Sequence, residues 1–165
     1  MNTFEPLTNV LCIFPTVRGF GYAFFKDEYE PEFHGVVFSK SSESQTCVNR
    51  IALMIETYQP TLILLPTPHK KQALKHKRKQ ILIADIEALA SSYDIRVLTY
   101  AREQIRLVFE QFDARSKIEI AEKICMWMPS LEKFKPRHRK SYMPEDYYQG
   151  MFDAISLNIT HQYYH

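Results

Sequence analysis

Apolar positions along the chain fall into short runs near its start and into three-to-four-residue periods further on. Val10 to Phe14 is apolar throughout, and Tyr22 to Phe25 is aromatic-rich. Pro15, Gly19 and Gly21 lie between them, so the two stretches read as strands joined by a tight turn. Phe33 to Ser39 reads as a third strand after an acidic turn from Lys26 to Pro31. Polar residues 41–46 then offer helix caps. Val48, Ile51, Ala52 and Ile55 follow at helical spacing, which predicts a helix from Cys47 to Tyr58 that Pro60 ends. Thr61 to Leu65 is an unbroken apolar run, the pattern of a central strand covered on both faces, and Pro66 and Pro68 break it.

The second half continues as a helix from Gln72 to Ser91, a strand from Ile95 to Tyr100, helices from Arg102 to Phe109 and Arg115 to Met128, and a long helix from Pro144 to Tyr163. Three strands followed by alternating helices and strands predict an α/β fold. Its mixed sheet has a three-strand antiparallel opening meander plus parallel strands, with helices on both faces. The helix from Cys47 to Tyr58 would return the chain so that Thr61 to Leu65 lies parallel to the first strand and beside it.

Composition narrows the class. With 165 residues, 45% hydrophobic and 13% aromatic, the chain can bury a core, and the absence of repeats and linkers makes 1–165 read as a single domain. No apolar run reaches the roughly 20 residues needed to cross a bilayer, so no membrane partner is expected. Glu5, with no basic stretch before an apolar run, does not suggest a signal peptide. Cys12, Cys47 and Cys125 are odd in number and widely spaced, which suits reduced thiols in a cytoplasmic protein better than disulfides or zinc. The six histidines show no metal-binding spacing, and no glycine-rich phosphate loop is present.

The formal net charge of +2 conceals two basic blocks. Residues 69–79 carry Lys70, Lys71, Lys75, Lys77, Arg78 and Lys79 without an acid, and residues 133–140 carry Lys133, Lys135, Arg137, Arg139 and Lys140. Outside them, ten basic residues face 19 acidic ones. Such blocks concentrate positive potential. They are candidate phosphate contacts for DNA or RNA, or else solvated surface. Tyr147, Tyr148, Tyr163 and Tyr164 are candidates for base stacking or for packing.

Several segments resemble the RuvC-like Holliday-junction resolvases of the RNase H-like superfamily. The family's first motif is an apolar strand, Asp-Pro-Gly, a short stretch containing Arg, then Gly-Tyr-Ala. Here Ile13, Pro15, Arg18, Gly21, Tyr22 and Ala23 match, while Phe14 stands at the Asp position. Residues 59–66 resemble the family's fourth strand, with Pro66 where a catalytic Glu is usual. Residues 114–124 resemble a later helix, with Ser116 and Lys117 near its start. Residues 131–146 resemble the loop before the last helix. Residues 152–161 resemble the closing helix, with Asp153 at its acidic position and Gly150 where another carboxylate is usual.

The resemblance implies an RNase H-like fold and binding of structured or branched nucleic acid, with a dimer as the family's assembly. It also implies a nuclease site from which three of four acids are missing. Two-metal cleavage needs several carboxylates around ions about 3.5–4 Å apart, and one Asp cannot supply them. Asp153 is the one candidate metal ligand by position. On a continuous helix Asp146 would face the same side as Asp153, and with Glu145 these form a candidate relocated catalytic set. The plainer reading of Glu145 and Asp146 is favourable charge at a helix start after Pro144.

Three functions follow. The leading expectation is a RuvC-like nucleic-acid-binding protein with a degenerate nuclease site and no cofactor. The alternatives are an endonuclease using magnesium or manganese at relocated carboxylates, and a scaffold that has lost nucleic acid.

Overall fold

A computed structural model of the chain describes residues 8–26, 29–40, 44–68, 74–140 and 142–165. Its elements, in order, are β1 (Asn9–Thr16), β2 (Gly19–Lys26), β3 (Phe33–Phe38), α1 (Gln45–Tyr58), β4 (Leu62–Pro66), α2 (Leu74–Ser92), β5 (Arg96–Tyr100), α3 (Arg102–Glu110) and α4 (Lys117–Trp127). A short 3₁₀ helix (Pro129–Phe134) precedes α5 (Gln149–Tyr164).

The five strands form one sheet in the order β3-β2-β1-β4-β5. The first three pair as an antiparallel meander, and β4 runs parallel to both β1 and β5. The expected neighbours β1 and β4 are therefore found side by side, and the fold class read from the pattern is the one observed.

Period-two alternation divides the core between the faces of the sheet. Leu11 and Ile13 of β1, Phe20 and Phe24 of β2, and Ile63 and Leu65 of β4 pack against α1 and α2. Val10 and Cys12, Ala23 and Phe25, and Leu62 and Leu64 pack against α3, α4 and α5. Ser44 at the start of α1 donates a 2.6 Å hydrogen bond to Asp85 of α2, which ties that helix pair together. The three cysteines are buried and free, Cys12 and Cys125 on the three-helix side and Cys47 on the two-helix side. Burial raises the pKa of all three, that of Cys125 to about 11.

Two expectations need correction. Pro15, Gly19 and Gly21 do not form the first turn. Pro15 is inside β1, the glycines are inside β2, and Val17 and Arg18 make the turn. Pro15 is tolerated there because β1 pairs with β4 only from Val10 to Cys12, so no β4 acceptor waits for its missing N–H. The last helix begins at Gln149 and not at Pro144. Pro144, Glu145 and Asp146 belong to the loop before it, and Asp146 Oδ1 accepts the Tyr148 N–H at 3.1 Å, organising the chain at the helix entrance.

Candidate functional site: a cationic cleft beyond the ends of β1 and β4

The ladder between β1 and β4 ends at Cys12 and Leu64. Beyond it lie Phe14 and Pro66, and between them opens a cleft of about 650 Å³. Its wall is mainly apolar, formed by Phe14, Pro15, Pro66, Ile83 and Ile105. Three cationic side chains line it as well: Lys79 from α2, Arg102 from the first turn of α3, and Lys117 from the first turn of α4.

Lys117 is positioned by the start of α4. The Ser116 side chain accepts the Glu119 N–H at 3.1 Å, an N-cap that makes Lys117 the first helical residue. Its Nζ donates to Glu145 Oε1 at 2.7 Å and stands 3.8 Å from Asp153 Oδ2. Asp153 is 4% exposed and accepts a 3.0 Å hydrogen bond from Gln149, one turn earlier on α5.

The two carboxylates are held in opposite ways. For Asp153, burial raises the pKa and outweighs the charges of Lys117 and Arg102 and the Gln149 hydrogen bond. Burial also acts to raise that of Glu145, but there the hydrogen bond and charge of Lys117, with the charges of Lys79 and Arg139, prevail and lower it.

The positions where the resemblance implies acids are contiguous. Phe14 pairs with Gly21 across β1 and β2, and Gly21 lies against the backbone of Gly150 on α5. A Cβ at Gly21 would run into the Gly150 carbonyl, and one at Gly150 would meet Thr16 Cγ2 at 2.8 Å. Pro66 and Lys117 border the same cleft, and Lys117 reaches Asp153. This region thus contains two apolar side chains, a glycine closed in by Thr16 and the Gly21 backbone, and one buried carboxylate whose neighbour is an ammonium. Among the described residues, no three His, Cys, Asp or Glu side chains converge in a way that could hold a metal. The residues present do not fit the divalent-ion pair of a two-metal nuclease.

Of the three candidate catalytic acids, Glu145 and Asp153 come together on Lys117. Asp146 does not join them, since its carboxylate accepts backbone N–H groups of Tyr148 and Arg137, the latter at 3.4 Å. The shared helix face expected for Asp146 and Asp153 is absent because α5 starts after Asp146. Lys117 was visible in the sequence only as a match near a helix start, and Arg102 carried no signal beyond following a strand.

The charges of both basic blocks bear on one carboxylate, Glu145. Lys70 and Lys71 lie outside the described residues, and Lys75 is in the first turn of α2. Lys77 is exposed, Arg78 donates to the Val17 carbonyl at the β1–β2 turn at 3.0 Å, and Lys79 lines the cleft. In the second block Arg137, Arg139 and Lys140 are exposed, Arg139 donates to the Met143 carbonyl at 2.6 Å, and Lys140 lies over the Tyr142 ring. Lys79 and Arg139, sixty positions apart, both act on Glu145.

The tyrosines divide. Tyr148 packs edge-on against Phe134, Tyr164 stacks on Tyr100, and Tyr163 accepts a 2.6 Å hydrogen bond from Gln111. Tyr147 is exposed. No helix among the described residues is long and apolar enough to cross a membrane.

The sequence matches no family model and no curated protein. The structure is similar to that of Thermus thermophilus RuvC in complex with a Holliday junction substrate, with a TM-score of 0.67 at 15% identity, covering 95% of this chain and 94% of that one. It is also similar to the yeast mitochondrial Holliday junction resolvase, with a TM-score of 0.54 at 11% identity over 99% of this chain and 86% of that one. A third similar structure is the fowlpox virus resolvase with substrate Holliday junction DNA, with a TM-score of 0.51 at 12% identity over 94% and 99%. The resemblance read from the sequence is thereby borne out at the level of the fold.

Proposed function

We propose that this chain binds branched or otherwise structured nucleic acid through the two basic segments and does not cleave it by divalent-metal chemistry. The observation that carries the reading is the cleft around which Lys79 of the first basic segment stands with Arg102 and Lys117, while the charge of Arg139 in the second segment bears on Glu145, the ion-pair partner of Lys117. Clustered Lys and Arg side chains neutralise phosphates and release counterions, giving affinity without sequence readout. Two of the similar folds are resolvases described with Holliday junction DNA, which supports a branched nucleic acid as the partner. The loss of cleavage follows from the chemistry of Phe14, Pro66, Gly150 and Lys117 where metal-binding acids would be needed.

The test is binding of a four-way junction, a duplex and a single strand as salt is varied, beside a cleavage assay with magnesium and with manganese. The expected result is binding to the junction whose logarithmic salt slope approaches −0.9 per neutralised phosphate, roughly, on duplex arms, with no cleavage product. No affinity at low salt for any of the three overturns the binding reading. Metal-dependent cleavage that vanishes in Asp153→Asn overturns the inactive reading and makes Glu145 the next acid to replace.

A further inference from the structure

The cleft combines surfaces that a simple phosphate-binding face does not need. Phe14 and Pro66 are half-buried and line its apolar wall, while Arg102, Lys79 and Lys117 stand around the same space. Its volume, about 650 Å³, lies in the range of roughly 300–1,000 Å³ common to small-ligand sites. Glu103 also lines it, and Glu145 and Asp153 adjoin it through their contacts with Lys117. Of the lining groups, Lys117 is paired with Glu145 at 2.7 Å and stands 3.8 Å from Asp153, while Arg102 and Lys79 add two further positive charges beside the carboxylate of Glu103. An occupant matched to this lining offers an apolar face together with an anionic group. A nucleotide has that form.

We propose that the cleft takes up one unpaired nucleotide of the bound strand, its base against Phe14 and Pro66 and its phosphate toward Arg102, Lys79 and Lys117. This rests on the nucleic-acid-binding reading above. An aromatic side chain accepts any base by its face, so the seat is tolerant of sequence. Unpaired positions at branch points, gaps or flaps are the cheapest to deliver, because no pairing has to be broken to turn the base outward. The charge facing the phosphate belongs to side chains, so binding requires no divalent ion. A surface that recognised duplex backbone alone would gain nothing from an aromatic ring at Phe14.

The experiment uses the whole chain in EDTA with gapped DNA carrying 2-aminopurine at the unpaired position. Overall binding is followed separately by anisotropy of a distant label. The expected result is a change in 2-aminopurine emission on binding, together with an affinity for the gapped DNA that falls about tenfold in Phe14→Leu, which removes the ring and keeps an apolar side chain. Arg102→Ala, at the half-buried start of α3, gives the same direction of change should Phe14→Leu fail to fold. Gapped DNA with an abasic residue at that position keeps the phosphate and should bind more weakly than the base-containing strand. Wild-type binding with unchanged 2-aminopurine emission, or equal affinity for the abasic strand, overturns the nucleotide seat while leaving the basic surface standing. Absence of binding to any nucleic acid overturns both.

Discussion

Gly21 on β2 and Gly150 on α5 meet backbone to backbone, so closely that a methyl group on Gly21 would occupy the Gly150 carbonyl. The contact brings the start of α5 directly onto the sheet next to Phe14, the cross-strand partner of Gly21. It also leaves little space at position 150, where a Cβ would meet the Thr16 methyl group at 2.8 Å. The glycine at position 150 is therefore set by the packing of a helix on the sheet and not by one neighbouring side chain.

Gly21→Ala is expected to destabilise the protein by about 3 kcal/mol or more, because the obstacle is backbone and cannot swing aside as a rotamer would. Gly150→Ala should cost less, since its first obstacle is the Thr16 methyl group at 2.8 Å. Urea denaturation of both variants gives the comparison, and equal midpoints would show that the helix shifts freely on the sheet.

Restoring acids by Phe14→Asp, Pro66→Glu and Gly150→Asp together should not create a nuclease. A carboxylate at position 150 would start against the Thr16 methyl group and the Gly21 backbone, and unpaired buried carboxylates cost several kcal/mol or remain protonated. Cleavage of a four-way junction with magnesium, scored beside thermal unfolding of the same variant, is the measurement. A folded variant that cuts would show that α5 can retreat.

Asp153→Asn should stabilise the protein near neutral pH. Burial raises the folded-state pKa of Asp153, so the folded chain binds this proton more tightly than the unfolded chain. Wild-type stability therefore falls as pH rises from the ordinary Asp value of about 3.9 through the higher folded value. The variant lacks that loss. Its advantage in Tm should be absent near pH 3 and grow toward neutrality, and a constant difference across that range would contradict the assignment.

Lys117→Met should cost about 1–3 kcal/mol at neutral pH, the lower part of the cost of breaking a buried pair because Lys117 is itself about one-third exposed. The loss should shrink when Asp153→Asn is combined with it, since the buried charge is then gone. A double-mutant cycle in urea measures the coupling.

Replacing Lys75, Lys77, Arg78 and Lys79 with Ala should weaken binding to duplex, junction and single strand alike. On duplex it should also flatten the salt slope by up to about 0.9 for each phosphate no longer neutralised. Anisotropy titrations at three salt concentrations check both. A loss restricted to one base sequence would point to edge readout in place of backbone recognition.

The elements of the sheet were legible because each strand carries its pattern within a few residues. Leu11 and Ile13 on one face and Val10 and Cys12 on the other need no distant partner to be recognised as a strand. The start of α5 was not legible. Pro144 followed by two acids has the composition of a helix entrance, yet Asp146 binds the Tyr148 and Arg137 N–H groups and delays the first turn. Lys117 was hidden for a different reason. Its partners Glu145 and Asp153 are 28 and 36 residues away, and only the packing of α4 beside α5 brings them to its ammonium. Likewise nothing local shows that Gly21 and Gly150 touch, since Gly21 alone reads as a turn residue and Gly150 as a position within the last helix.

The three cysteines give the molecule a built-in clock. Cys12 sits in the central strand, Cys125 under the three-helix layer and Cys47 under the two-helix layer, and each thiol is kept protonated by its surroundings. An alkylating reagent needs an exposed thiolate, so each position reacts only when its part of the molecule opens. Cys47 reports detachment of α1, Cys125 detachment of α4, and Cys12 detachment of α5 from the central strand. Their relative labelling rates, read peptide by peptide by mass spectrometry, would give the order in which the layers come apart without a single substitution.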